Sequence, residues 1–207
     1  MSNVLVFGHQ NPDNDAIMSS VVLSQLLNQV EFDSNTYQAC CLGPLPAESA
    51  KLLEDNGVAA PMLIDAIEPA AEGEEAQLVV LCDHNEPGQS VTGLENAVIA
   101  GVVDHHRFGN FTTAAPLHIV SLPWGSSCSI VAKLFEVLGV EPTDVQAKLL
   151  LSAMMTDTLM LKSPTATAID AAIAKKLGDQ IGVDPVKFGM EVFLTRPSGS
   201  FTAAEMV

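Results

Sequence analysis

Carboxylate and imidazole side chains follow three apolar runs of the chain, in each case where the run ends. They are His9, Asp13 and Asp15 after the run 4–7, Asp83 after the run 78–82, and Asp104, His105 and His106 after the run 98–103. If the runs are strands of one parallel sheet, their carboxyl ends lie at the same edge, where open α/β sheets bind ligands. Carboxylates and imidazoles together suit transition metals, so the pattern predicts a centre with enough ligands for more than one ion.

The first group surrounds a turn at Pro12, directly before a predicted helix. An aspartate at that place would ordinarily cap the helix by accepting hydrogen bonds from its first amides. The combination of His9 with two carboxylates spaced two residues apart, Asp13 and Asp15, favours metal binding instead.

The second and third groups add a bridging ligand and a pair of imidazoles. Each oxygen of Asp83 could bind one ion, although a turn residue at a strand end is the plainer interpretation. His105 and His106 would point in opposite directions if the strand continues through them, so that one could bind metal and the other contact substrate. The alternative is one core and one surface histidine. Asp104 could hold an imidazole by its second nitrogen.

Asp157 lies at the C-terminal end of an apolar helical pattern. The helix dipole disfavours an anion at that end, which indicates a compensating cation, while exposure to solvent is the alternative explanation. No role is predicted for His84.

The elements that would position these residues can be predicted from six short apolar runs. The runs are nearly continuous rather than alternating, as is typical of strands buried on both faces of a parallel sheet. They cover residues 4–7, 37–42, 62–64, 78–82, 98–103 and 117–122. Helical patterns at 15–30 and 46–57 lie between them. The sequence therefore predicts an α/β fold with an open, mainly parallel sheet and helices on both faces.

The pattern after Trp124 is helical only. One helix is predicted to begin at Ser126 or Ser127 and another at Thr143 or Asp144. Two more are predicted at about 166–177, ended by Gly178, and at 185–193.

The composition limits the class of protein. The chain has 207 residues, 48% of them hydrophobic, which suffices for one large domain. The net charge of −16 disfavours nucleic acid and anionic membranes as partners. No apolar stretch approaches the ~20 residues that span a bilayer, and no charged region precedes the first apolar run, so no signal peptide is predicted. The four cysteines lack zinc or disulfide spacing, which favours reduced thiols in a cytoplasmic protein.

The last residues predict a further domain. Residues 202–205 read as a capping box, the start of a helix, after a linker-like segment. We expect residues 1–195 to form the metal-binding domain, and 196–207 to be a linker and the first turn of a truncated second domain. A natural terminus that frays is the alternative.

Four segments, in order, resemble the successive motifs of family II inorganic pyrophosphatases, which belong to the DHH phosphoesterase superfamily. The segments are 8–15, 83–86, 104–106 and 152–158, the last with 162–165. The first and third are shared across the superfamily, whereas the other two are specific to the pyrophosphatases. The resemblance implies a DHH-type, Rossmann-like fold and hydrolysis of pyrophosphate to two phosphates.

The resemblance also implies a role for each site residue. One metal would be held by His9, Asp13 and Asp83, and the other by Asp15, Asp83, His105 and Asp157. Asp83 would bridge, and His106 would contact the pyrophosphate. The family prefers Mn²⁺ or Co²⁺, with Mg²⁺ as a weaker substitute, and the two imidazoles agree with this preference. Two ions ~3.5–4 Å apart activate a water and stabilise the transferring phosphoryl group. The family's bacterial members commonly form homodimers through this domain.

The sequence departs from the family in one respect. The family has a second, smaller domain whose Arg-Lys pair and further Lys bind the substrate, and nothing in this sequence matches it. The four ligand carboxylates would offset the charge of two divalent ions, while pyrophosphate adds several negative charges. Arg107 and Lys162 are the only bases expected near the site. We therefore expect this chain to be weakly active or inactive alone.

Two other functions remain alternatives. One is a DHH-type phosphodiesterase that cleaves short oligonucleotides or cyclic dinucleotides; the net charge and the 83–86 motif argue against it. The other is a nucleotide-binding or structural α/β module without catalysis, although no Gly-x-Gly-x-x-Gly pattern follows the first run.

Overall fold

The computed structural model describes residues 2–196. The predicted capping box at 202–205 and most of the predicted linker lie outside the described residues. The strands are β1 Asn3–Phe7, β2 Thr36–Cys41, β3 Met62–Leu63, β4 Leu78–Cys82, β5 Val98–Asp104 and β6 His118–Ser121. The helices are α1 Asn14–Gln29, α2 Ala47–Asp55, α3 Ser127–Val137, α4 Asp144–Asp157, α5 Ala168–Ile181 and α6 Pro185–Phe193.

The six strands form one parallel sheet in the order β3-β2-β1-β4-β5-β6. The chain moves outward from β1 to β3 on one side and then returns to place β4 on the other side of β1. The sheet therefore has a topological switch point between β1 and β4, where ligands of such folds bind. The α/β class, the parallel sheet and all six predicted strands are confirmed.

The two faces of the sheet are covered unequally. Alternate residues of β1 divide between two hydrophobic clusters, with Val4 and Val6 in one and Leu5 and Phe7 in the other. All six α-helices contribute to the first cluster. Loops and one short 3-10 turn, Leu94–Asn96, cover the second. Helical cover on that face is thus limited to a single turn.

The prediction that Gly178 ends the fifth helix is wrong. The helix continues to Ile181, and Gly182 takes the left-handed conformation at its C-cap. Gly178 is buried, and a Cβ atom there would lie 2.8 Å from Cγ of Pro185. The glycine therefore permits the close approach of α5 to the start of α6, which is a packing role rather than a helix stop.

No helix in the described part of the chain combines the length and the hydrophobicity needed to span a membrane.

Candidate metal centre

The predicted ligands meet at the carboxyl edge of the sheet, at the switch point. His9 follows β1, Asp13 is the N-cap of α1, and Asp15 lies in the first turn of that helix. Asp83 directly follows β4, and Asp157 is the last residue of α4. His105 and His106 follow Asp104, the final residue of β5. Parallel pairing of neighbouring strands places these ends side by side, and α4 adds its carboxylate from the helical layer.

One group consists of His9, Asp13 and Asp83, whose ligand atoms all lie within 4.8 Å of one another. His9 Nε2 is 3.7 Å from Asp13 Oδ2 and 3.5 Å from Asp83 Oδ2. The other nitrogen, Nδ1, donates a hydrogen bond to the Gln10 carbonyl. Asp13 Oδ1 accepts from the Ala16 amide, so Asp13 caps α1 with one oxygen and presents the other to the group.

A second group consists of Asp15, His105 and Asp157, also within 4.8 Å. His105 Nε2 is 3.7 Å from Asp157 Oδ2 and 3.2 Å from Asp83 Oδ1. The two oxygens of Asp83 thus lie toward different histidines, Oδ2 toward His9 and Oδ1 toward His105. This is the arrangement that a carboxylate shared by two ions requires.

Residues 124–128 form a turn, called here the 124–128 turn, that contacts Asp15 and His105 of the second group. Asp15 Oδ1 accepts hydrogen bonds from Ser126 Oγ and the Cys128 amide, and Oδ2 accepts from the Ser127 amide. Ser127 Oγ donates to Asp83 Oδ1. The sequence indicated only that a serine here caps α3. The contacts of these serines with Asp15 and Asp83 join residues more than 40 positions apart, and no pattern in the sequence predicts them.

His106 does not lie on a continued strand, because β5 ends at Asp104. The expectation that the two side chains point in opposite directions required a continued strand and therefore does not apply. The His105 and His106 rings are neighbours, with centroids 4.2 Å apart. Asp104 holds His106 rather than His105: its Oδ1 accepts from His106 Nδ1 at 2.9 Å and from the His106 amide. His105 Nδ1 instead donates to the Trp124 carbonyl. Each ring thus has Nε2 left for a ligand.

Asn85 is a site residue that the sequence analysis missed. It is buried, and its amide nitrogen donates to Asp104 Oδ2 at 2.6 Å and to the Arg107 carbonyl. Its amide oxygen accepts from the Gly109 amide. Asn85 therefore fixes both Asp104 and the loop that carries His106.

His84 has a structural position. It is buried, donates from Nδ1 to the Cys82 carbonyl and accepts at Nε2 from Ser90 Oγ. Burial lowers the pKa of His84, so the ring is neutral.

The electrostatics of the centre are those of a site that requires cations. Burial alone would lower the pKa of His9 and His105, but the neighbouring carboxylates outweigh it and raise these pKa values to about 11 and about 10. Burial and the charge of Asp83 raise the pKa of Asp15 to about 7. Burial and the charges of Asp15 and Asp83 also raise that of Asp157. Without a metal, protons on the two imidazoles therefore supply part of the positive charge that the carboxylates require.

The donor set fits a pair of transition-metal ions. It offers four carboxylates and two imidazoles, and each imidazole has its second nitrogen fixed by a carbonyl, the usual way of presenting the other nitrogen to a metal. Cations for an anionic substrate are sparse by comparison. Arg107 is 87% exposed and paired with Glu86 at 3.3 Å, and Lys162 is exposed.

The switch-point sheet and the acid–imidazole cluster define an α/β protein with a candidate two-ion centre. The chain belongs to the DHH family, whose N-terminal domain matches residues 3–161. The resemblance drawn from the motifs is thereby confirmed at the level of the family.

Two curated bacterial proteins are similar to this chain over its whole length. Proteins of Streptococcus agalactiae serotype Ia and Streptococcus mutans serotype c, each named "probable manganese-dependent inorganic pyrophosphatase", are 42% and 41% identical to it. Both alignments cover 100% of this chain, which spans 65% of the length of these curated relatives.

Two solved structures are also similar. The structure of a candidate family II inorganic pyrophosphatase of Methanococcus jannaschii has a TM-score of 0.80 and 33% identity, covering 93% of this chain and 61% of that one. An exopolyphosphatase-related protein of Bacteroides fragilis, 19% identical with a TM-score of 0.70, covers 95% of this chain and 57% of that one. At this identity, the second likeness concerns the fold alone.

Proposed function

We propose that this chain is the metal-binding part of a manganese-dependent inorganic pyrophosphatase, which hydrolyses pyrophosphate to two phosphates. The observation that carries the proposal is the position of Asp83, with Oδ2 toward His9 of the first group and Oδ1 toward His105 of the second. The similarity to proteins with this name along the whole chain selects pyrophosphate among the substrates of such a centre.

The chain's own residues would act as follows. His9 and Asp13 would hold one ion, His105, Asp15 and Asp157 would hold the other, and Asp83 would contribute one oxygen to each. When bound, the two divalent ions would lower the pKa of a water and offset negative charge on the substrate.

His106 lies beside this pair of sites and is half exposed. Asp104 accepts from Nδ1 and raises the pKa of the ring, so the protonated ring would donate a hydrogen bond from Nε2 to a pyrophosphate oxygen. In this arrangement Asp83 and His106 contribute directly to catalysis.

The preferred metal follows from the donor set. Two imidazoles favour Mn²⁺ or Co²⁺ over Mg²⁺, which prefers oxygen ligands and water and would be a weaker substitute. Two ions per centre are supported by the two ligand groups, because Asp83 belongs to the first and lies 3.2 Å from His105 of the second.

The substrate requires more positive charge than the described residues place near the site. Arg107 is already paired with Glu86, and Lys162 is a single exposed base. We place the remaining cations in the part of the curated relatives that this chain does not match, with residues 1–195 as the metal-binding domain and 196–207 leading into a second domain.

Phosphate release tests the proposal. We expect purified chain with Mn²⁺ to release phosphate from pyrophosphate slowly, but faster than it cleaves a dinucleotide. Asp83→Asn should abolish the release, whereas Asp65→Asn, at an exposed position, should not. A version as long as the relatives should be faster by about 10²–10³-fold for each additional cationic side chain that binds the substrate.

Other outcomes would favour the alternatives. Preferential cleavage of the dinucleotide would favour the phosphodiesterase, and neither metal binding nor cleavage would favour the non-catalytic module. Equal turnover of pyrophosphate by this chain and by the longer version would contradict the location proposed for the cations.

A homodimer and a cytoplasmic location belong to the same proposal. Four buried, free cysteines suit a reducing compartment. The strand β6 ends the sheet, with Ile119 47% exposed, and an apolar cavity of about 250 Å³ lies beside it between α1, β5 and α3. An exposed edge strand readily pairs with another chain.

A further inference from the structure

The 124–128 turn contacts three of the proposed ligands at once. Its Trp124 carbonyl accepts from His105, its serine and amide groups hold Asp15, and Ser127 Oγ donates to Asp83. The position of the second ligand group therefore depends on where this turn is held. The question is which residue holds the turn itself.

The turn is anchored by Asp170, a fully buried residue in the first turn of α5. Asp170 Oδ2 accepts from the Gly125 amide at 2.9 Å, and Oδ1 accepts from Ser129 Oγ at 2.5 Å. These contacts join residues 45 and 41 positions apart. One carboxylate thus fixes both the turn and the first turn of α3.

Helix capping explains only part of this arrangement. Asp170 forms a capping box with Thr167, whose amide and hydroxyl both donate to Oδ2. That local role needs neither Gly125 nor Ser129. The long-range contacts are additional, and all four partners of the carboxylate donate to it.

The packing around Gly125 leaves the turn little freedom. A Cβ atom at this position would lie 2.6 Å from Cγ2 of Thr158 and 3.0 Å from Asp170 Oδ2. Thr158 directly follows Asp157, so the turn is enclosed between the anchor and the segment that carries another proposed ligand. A change in the anchor therefore shifts the turn relative to the second group.

We propose that Asp170 is a positioning residue for the second metal site, acting through the 124–128 turn. The inference rests on the proposed metal centre. The described contacts of the turn reach Asp15, His105 and the shared Asp83, but not His9 or Asp13. Loss of the anchor should therefore weaken one ion selectively.

Manganese titration of Asp170→Asn tests the inference without substrate. Asparagine keeps the shape but places an NH2 group where donors now converge. We expect the ion of the second group to bind about 10–100-fold more weakly, the usual effect of removing a residue that orients a metal ligand. The ion of the first group should change little. The two binding events are assigned with His9→Ala and Asp157→Ala.

Two control variants separate positioning from general stability. Asp179→Asn, on the exposed side of the same helix, should bind both ions as the original chain does. Asp184→Ala removes the N-cap of the next helix, α6, and should lower the thermal melting temperature while leaving both manganese affinities nearly unchanged. If circular dichroism shows that Asp170→Asn is unfolded, Gly125→Ala, which displaces the same turn, replaces it. This variant should also lose affinity for the ion of the second group and keep that for the first.

Unchanged affinities in Asp170→Asn, or an equal loss of both ions, would overturn the inference while leaving the metal centre intact. Failure of the original chain to bind manganese would overturn the inference together with the metal centre.

Discussion

Three of the proposed ligands, His9, His105 and Asp13, have one atom engaged by the protein and another left toward the centre. The imidazoles of His9 and His105 donate from Nδ1 to carbonyls, which leaves Nε2 for a metal. Asp13 caps a helix with one oxygen and presents the other. The ligand orientations are thus set by hydrogen bonds within the protein, so little reorganisation should accompany metal binding.

The two adjacent histidines should differ in function. His105→Ala should weaken manganese binding by more than about tenfold, because its Nε2 lies between Asp83 and Asp157. His106→Ala should leave the affinity nearly intact and lower turnover in the longer version. Calorimetric titration measures the first effect and phosphate release the second, with His118→Ala as the control. Equal loss of metal from both variants would assign His106 to the metal instead, since its Nδ1 lies 3.7 Å from Asp83 Oδ1.

At the scale of elements, the edge strand β6 gives the homodimer a testable surface. Ile119→Lys places a charge on the exposed edge and should shift a dimer toward monomers. Light scattering after size-exclusion chromatography measures the mass. Ile169→Lys changes an isoleucine of similar exposure on α5 and should leave the mass unchanged. A dimer that persists in Ile119→Lys would place the interface elsewhere.

Much of the element order could be predicted because parallel strands buried on both faces have a distinctive composition. The ends of those strands identified His9, Asp83 and His105, since parallel ends converge. Contacts between distant segments could not be predicted in the same way. Asp170 reads as an ordinary capping residue, and its bond to Gly125 has no local signature. The prediction that Gly178 ends a helix was wrong for the same reason, because the role of this glycine depends on the packing of α6 against α5.

At the scale of the whole molecule, metal binding should be coupled to release of protons. In the absence of metal, the carboxylates raise the pKa of His9 to about 11 and that of His105 to about 10, so both rings carry protons at neutral pH. A metal binds the neutral ring, so each ion must displace a proton. Manganese affinity should therefore rise from pH 6 to pH 8, by about tenfold per pH unit for each proton displaced.

Titrations in buffers of different ionisation enthalpy would count the protons directly. His84→Gln serves as a control, because the buried neutral ring of His84 releases none. An affinity independent of pH would mean that the rings are neutral before the metal arrives.

The backbone at Asp83 is left-handed, with φ at 57°. Among residues with a side chain, asparagine and aspartate adopt this conformation most readily. In evolutionary terms, two independent demands restrict the position: the chain path admits few residue types, and of these only aspartate carries a charge. Glutamate, the usual conservative replacement for aspartate, adopts this conformation less readily, and its longer side chain would move the carboxylate. Asp83 is therefore restricted both by its backbone conformation and by the charge that it must carry.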